Sequence, residues 1–152
     1  MKKLIAALLA AMMVLSLTAC GGSADKTIDV QALADDLKDK VPYSATLIAA
    51  AVEDMEYRFD PPEGTTLAGY MADGSTADMV VVAQCASADD AKTLCANIGT
   101  YLDDLKREAN LYQPEEVARL DEALLQQSGI VVVLCISDDT AAATGVVEGY
   151  LK

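Results

Sequence analysis

Thiols and carboxylates are the reactive groups this chain carries in number, and imidazole is missing altogether. The 152 residues include 24 Asp and Glu, 11 Lys and Arg, four Cys and no His. Without histidine neither a Ser-His-Asp nor a Cys-His arrangement can be assembled, and the commonest zinc ligand is lost. Neither G-x-G-x-x-G nor a Walker-type lysine loop occurs, so no phosphate cradle is indicated. Cys85, Cys95 and Cys135 are scattered with no CxxC pair, a poor basis for a metal site. Cys95 falls on an apolar helical stripe, and Cys85 and Cys135 end apolar runs. All three read as small buried hydrophobes. In an oxidising compartment one disulfide is open to them, with Cys85 and Cys135 the favoured pair by their matching positions.

The acids come in adjacent pairs: Asp35-Asp36, Asp89-Asp90, Asp103-Asp104, Glu115-Glu116 and Asp138-Asp139. Neighbours on a helix point about 100° apart, so no pair makes a catalytic dyad by itself. Three of the pairs fall where helices should begin and suit the positive end of the helix dipole. Asp73-Gly74-Ser75-Thr76-Ala77-Asp78 has a slight calcium-loop look but lacks EF-hand periodicity, and it reads as a turn. No catalytic residue, metal ligand set or cofactor is assigned.

One thiol stands apart. Met1-Lys2-Lys3 is a basic start, and the uncharged stretch to Ala19 is shorter than the ~20 apolar residues a spanning helix needs. A basic front, an apolar run and small residues at its end are the pattern of a secretory signal. Leu17-Thr18-Ala19-Cys20-Gly21 resembles the bacterial lipobox. There the cysteine thiol receives diacylglycerol, and the chain is cut between the residues matching Ala19 and Cys20. Only a thiol forms that thioether, and small flanking residues let the backbone enter the peptidase. The acyl chains (palmitate among the usual ones) give firm anchoring where a single chain would be marginal. The expected division is a signal at 1–19, a lipidated Cys20 with a flexible tether at 20–28, and one domain at 29–152.

The net charge is −13, and loss of residues 1–19 removes two lysines and no acid, leaving 24 acids against 9 bases, or −15. Such a surface repels nucleic-acid backbones and offers no basic attraction to anionic lipid. Attachment to a membrane therefore rests on the lipid at Cys20, with the outer face of the cytoplasmic membrane as the expected location.

The elements that position these groups follow from periodicity. Asp29 caps a helix to about Lys40, with Val30, Leu33, Leu37 and Val41 on one stripe, and Pro42 ends it. Leu47–Val52 is apolar throughout and fits either a buried helix or a strand, and Pro61-Pro62 with Gly64 marks a loop. Thr66–Met71 and Ala77–Cys85 read as strands about an Asp73-Gly74 turn. Ser87 opens a helix to about Arg107, with Asp90 as capping partner and Ala91, Leu94, Cys95, Ile98, Leu102 and Leu105 as its apolar stripe. Pro114 suits the first position of a short helix. Glu122–Gln127 and Ile130–Ile136 read as a second pair of strands about Ser128-Gly129, and Asp138 or Asp139 caps a last helix.

A shift of 50 residues lays Val82 on Val132, Cys85 on Cys135, Ser87 on Ser137 and Asp89 on Asp139. The fold class expected is α+β: a four-stranded, mainly antiparallel sheet from two hairpin-plus-helix units (ββαββα), with an additional N-terminal helix. Val80-Val81-Val82 and Ile130–Leu134 do not alternate, which makes these strands central. If both hairpin-linked helices cover one face, the other is left to the N-terminal helix and the Leu47–Val52 segment. Any apolar patch left exposed there, around Val80 or Val82, would be the expected partner surface. Tyr43, Tyr57, Phe59, Tyr70, Tyr101, Tyr112 and Tyr150 are scattered as core-edge residues rather than as a groove.

Gly69-Tyr70-Met71, Ser75-Thr76-Ala77-Asp78 running into Met79–Val82, Ala88-Asp89-Asp90-Ala91, Tyr112-Gln113-Pro114-Glu115-Glu116 and Ser137-Asp138-Asp139 form a set. Together they resemble domain-of-unknown-function family 4358, lipoproteins of gut clostridia and relatives. Relatives carry an aromatic residue or lysine in the strand where this chain has Gln84-Cys85. The resemblance implies location and fold and brings no activity. The functional expectation is a membrane-anchored, non-catalytic binding or envelope-interaction domain for an unknown envelope protein or ligand. The alternatives are a small carboxylate hydrolase or an envelope stress or assembly factor.

Overall fold

The computed structural model describes residues 26–152; the signal, the cleavage point between Ala19 and Cys20, and Cys20 itself lie outside the described residues. The chain is α+β, with five strands in one antiparallel sheet rather than four. The order along the chain is α1 (Val30–Lys40), β1 (Leu47–Ala49), α2 (Val52–Phe59), β2 (Thr66–Ala72), β3 (Met79–Gln84) and α3 (Ala88–Tyr112). A 3-10 turn (Pro114–Glu116), α4 (Val117–Asp121), β4 (Leu124–Ser128), β5 (Val131–Ile136) and α5 (Thr140–Leu151) complete it. The strands lie side by side as β1-β2-β3-β5-β4. The extra strand comes from the ambiguous apolar run, which divides: Leu47–Ala49 pairs with Tyr70–Ala72, and Val52 begins a helix whose Met55 and Phe59 are buried.

Both hairpins form as the sequence predicts, and β3 and β5 are the centre of the sheet. Their side chains from Val80 to Ala83 and from Val132 to Ile136 are fully buried, which explains the absence of alternation. The helices, however, do not share a face. Cross-strand partners point the same way, and the register joins odd- to even-numbered residues, Met79 to Ile136 and Gln84 to Val131. Odd residues of β3 and odd residues of β5 therefore look to opposite sides. Each helix folds back over the odd side of its own strand: α3 covers Val81 and Ala83, while α5 covers Val131, Val133 and Cys135. The strand-to-helix junction thus repeats locally, and antiparallel pairing turns the second copy over.

Two cores result. On one side α2, α3 and Leu120 of α4 pack over Leu67, Met79, Val81, Val132 and Leu134. On the other α1 and α5 pack over Val80, Val82, Val131 and Val133. The expected open patch is thus corrected: Val80 and Val82 are 0% exposed beneath α1 and α5. Gly69 allows α2 its close approach, since a Cβ there would lie 2.4 Å from the carbonyl oxygen of Val80 and 3.0 Å from the sulfur of Met55.

The helix starts obey their caps. Asp29 accepts from the amide of Ala32 (3.0 Å), and the hydroxyl of Ser87 accepts from the amide of Asp90 (3.1 Å) while donating to its carboxylate. Asp139, not Asp138, caps α5 by accepting from Ala142 (2.9 Å). Helix α3 runs past Arg107 to Tyr112, because Ala109 extends its buried stripe and no breaker precedes Pro114. With 25 residues it is ~37 Å long, against ~20 Å for the six residues of β3, so its last turns overhang one end of the sheet.

Candidate functional site

The two ends of the sheet differ in chemistry. At the end where the described chain begins, the amide of Ile28 donates to Oε1 of Gln84 at the close of β3 (2.8 Å), and Lys26 donates to the carbonyl of Lys152. The β4–β5 turn lies here as well, and Gly129 adopts a φ of 55° within it. This is the entry end.

The far end gathers charge from separate segments. Asp78, immediately before β3, has a fully buried carboxylate that accepts from the amide of Ala45 (2.8 Å) and the hydroxyl of Thr76 (2.8 Å). Its other oxygen takes Nη1 of Arg119 from α4 at 2.9 Å. The same guanidinium lies 3.5 Å from Glu116 and 3.0 Å from Asp138, and donates to Ser44 Oγ, which in turn donates to Asp138 at 2.9 Å. Glu116 also accepts from the amide of Ala77 (3.3 Å). Arg119 therefore ties together the α1–β1 loop, the β2–β3 turn, the 3-10 turn and the start of α5. A carboxylate buried as Asp78 is would be costly alone, and a planar five-donor cation is suited to satisfy several acids at once. Two acids read from sequence as dipole partners, Glu116 and Asp138, serve this cluster instead. Arg119 and Ser44 were not singled out in the sequence. The available signal was Asp78 itself, an acid abutting an unbroken apolar strand.

Beside the cluster, the overhang of α3 and the β2–β3 turn enclose a half-open cleft of about 300 Å³. Leu105, Ala109 and Tyr112 of α3 line one wall, Gly74, Thr76 and Ala77 the other, and Glu108 and Glu116 are its charged groups. A smaller recess of about 180 Å³ continues from it past Tyr101 to Arg58. Leu111 and Tyr112, 75% and 77% exposed, stand at the same end. Among the described residues no group of three or more His, Cys, Asp or Glu is placed to hold a metal ion. Asp73 accepts from the amide of Ser75 (3.1 Å), so the segment with a calcium-loop look is a local turn.

Among the described residues the thiols of Cys85, Cys95 and Cys135 are free, and the Cys85–Cys135 disulfide that the sequence left open is not formed. Cys135 lies opposite Val80 and faces α5, whereas Cys85 lies five residues beyond Val80, just past the end of β3, and packs with the α3 core. That is a separation of ~16 Å along the strand and a change of face, far beyond disulfide reach. Burial pushes the Cys135 thiol up, against the opposing hydrogen bond shared with Tyr43, whose hydroxyl lies 3.4 Å away. Burial likewise raises the phenol of Tyr43. Both groups stay protonated and inert at neutral pH.

The remaining aromatics serve separate contacts. Phe59 meets Tyr101 edge-on at 5.1 Å, while Tyr70 and Tyr150 donate to Asp35 and Asp36 on α1. No helix among the described residues is long and apolar enough to cross a membrane. Compared with known proteins, the chain matches no family model, no curated protein and no solved structure.

Proposed function

We propose that this protein is an extracytoplasmic lipoprotein, cut between Ala19 and Cys20 and held by lipid on Cys20 at the outer face of the cytoplasmic membrane. Its domain acts there by binding an envelope partner rather than by catalysis, and its kinship is with family 4358. The observation that carries the reading is the succession Lys2-Lys3, an uncharged apolar run, and Leu17-Thr18-Ala19-Cys20-Gly21. A short polar stretch then leads into a domain in which the buried residues of both cores, among the described residues, lie between Val30 and Val147. The non-catalytic part draws support from the convergent acids, which are engaged by Arg119 and backbone amides and so act as a structural tie.

The test is intact-mass analysis of the protein from the membrane fraction. The mature chain should begin at Cys20 and carry the mass of a diacylglyceryl group, and Cys20→Ala should leave uncut precursor. A wild-type chain that is unmodified, or cut elsewhere, contradicts the proposal.

A further inference from the structure

We propose that the far-end cleft is a docking site for a partner segment that inserts a lysine or arginine side chain flanked by apolar residues. This rests on the tethered reading for its setting, since the tether enters at the opposite end and leaves the far end turned toward the envelope. The cleft itself stands on geometry. About 300 Å³ is room for one long side chain, and Glu108 and Glu116 are the charged groups that line it, with no lysine or arginine among the lining residues. Glu116 is partly spent on Arg119 and the amide of Ala77. Glu108 is exposed and has no ion-pair partner among the described residues, which leaves it to meet an incoming cation.

The walls suit the rest of such a side chain. Leu105 and Ala109 receive its methylenes, and the ring of Tyr112 offers a face to the charged tip. Next to Tyr112 in the chain, Leu111 is 75% exposed, so it is free to contact an apolar neighbour on the partner. A chain at −13 attracts cations over its whole surface, but here carboxylate, aromatic ring and apolar side chains coincide on a concavity.

The experiment is fluorescence anisotropy of a labelled Leu-Lys-Leu-Lys-Leu peptide, acetylated and amidated, titrated with the full chain in detergent micelles. Lipidation does not enter this measurement, so its failure and failure of the lipoprotein reading are separable. Saturable binding is expected. It should weaken about three- to fivefold in Glu108→Gln and again in Tyr112→Ala, as loss of one exposed ion pair or one cation–π contact would give. It should be unchanged in Glu148→Gln, which removes the same charge at the entry end, and absent for the peptide with glutamate in place of lysine. Equal loss in Glu108→Gln and Glu148→Gln would mean general attraction to an acidic surface and would overturn the site. So would the absence of saturation up to ~1 mM of the chain, and so would competition by spermidine at the peptide's own affinity.

Discussion

The middle of the sheet and its far end are built on opposite plans. In the middle, β3 and β5 lie between two helical layers, with Val80, Val81, Val82, Val132 and Val133 all at 0% exposure. A handful of apolar types, most within two short stretches of chain, does the packing there. At the far end Ser44, Asp78, Glu116, Arg119 and Asp138 come from five separate segments and meet around one guanidinium. The contrast shows where a small all-round-covered sheet can present chemistry. With both faces closed by helices, polar groups and concave surface collect at the edges and ends. Here the overhang of α3 makes one end the richer.

The largest effect should come from charging the middle. Val82→Glu places a carboxylate between β3 and the α1–α5 layer with no cation to meet it, and the chain should fail to fold cooperatively, seen as loss of near-UV circular dichroism. A folded variant that instead loses self-association or partner capture would return this face to the surface. Next is Arg119→Ala, which strands the buried carboxylate of Asp78 and should cost about 3 kcal/mol. For a domain of this size that lowers Tm by roughly 10 °C, whereas Leu111→Ser, at the exposed rim of the same end, should leave Tm within ~2 °C. Equal melting of the two variants would erase the distinction between tie and docking surface.

The smallest effect lies outside both regions, on α1. The hydrogen bond from Tyr70, then that from Gln31, holds the Asp35 carboxyl below its ordinary value. A depressed folded pKa gives stability that is present above the unfolded value, about 3.9, and is lost as pH falls through the folded one. Tyr70→Phe should therefore lower Tm slightly near pH 7, where that contribution is present, and converge with the wild type in acid, where it is lost, so that the variant's acid limb is flatter. An unchanged acid limb would show that this hydrogen bond does not persist in solution.

What could be read from the sequence divides along the same line. The central strands, the Asp73-Gly74 and Ser128-Gly129 turns and the Ser87 cap were legible, because each is written in adjacent residues. The division of Leu47–Val52 into a strand and a helix was not, since a run without polar residues has no period. The three residues of β1 are held there by pairing with β2, a contact no local pattern records. The sides taken by α3 and α5 were also hidden, because they depend on whether the β3–β5 register joins odd to even positions. The Arg119 cluster was missed for the same reason: Arg119 is 41 residues from Asp78 and 75 from Ser44. Local chemistry pointed to Glu116 and Asp138 as helix-dipole partners, and only the folded chain brings them to a shared cation.

On the function proposed above, the chain is held to a membrane at one end of its sheet and offers the other. The direct test of this arrangement is quenching of a fluorescent label by headgroup-level spin-labelled lipid, with the lipidated chain in bilayers and Cys95 replaced by Ala. The label is placed through Ala86→Cys at the entry end or Leu111→Cys at the far end, both exposed positions. Attachment at the entry end predicts strong quenching at 86 and little at 111. Equal quenching at both, or stronger quenching at 111, would contradict it.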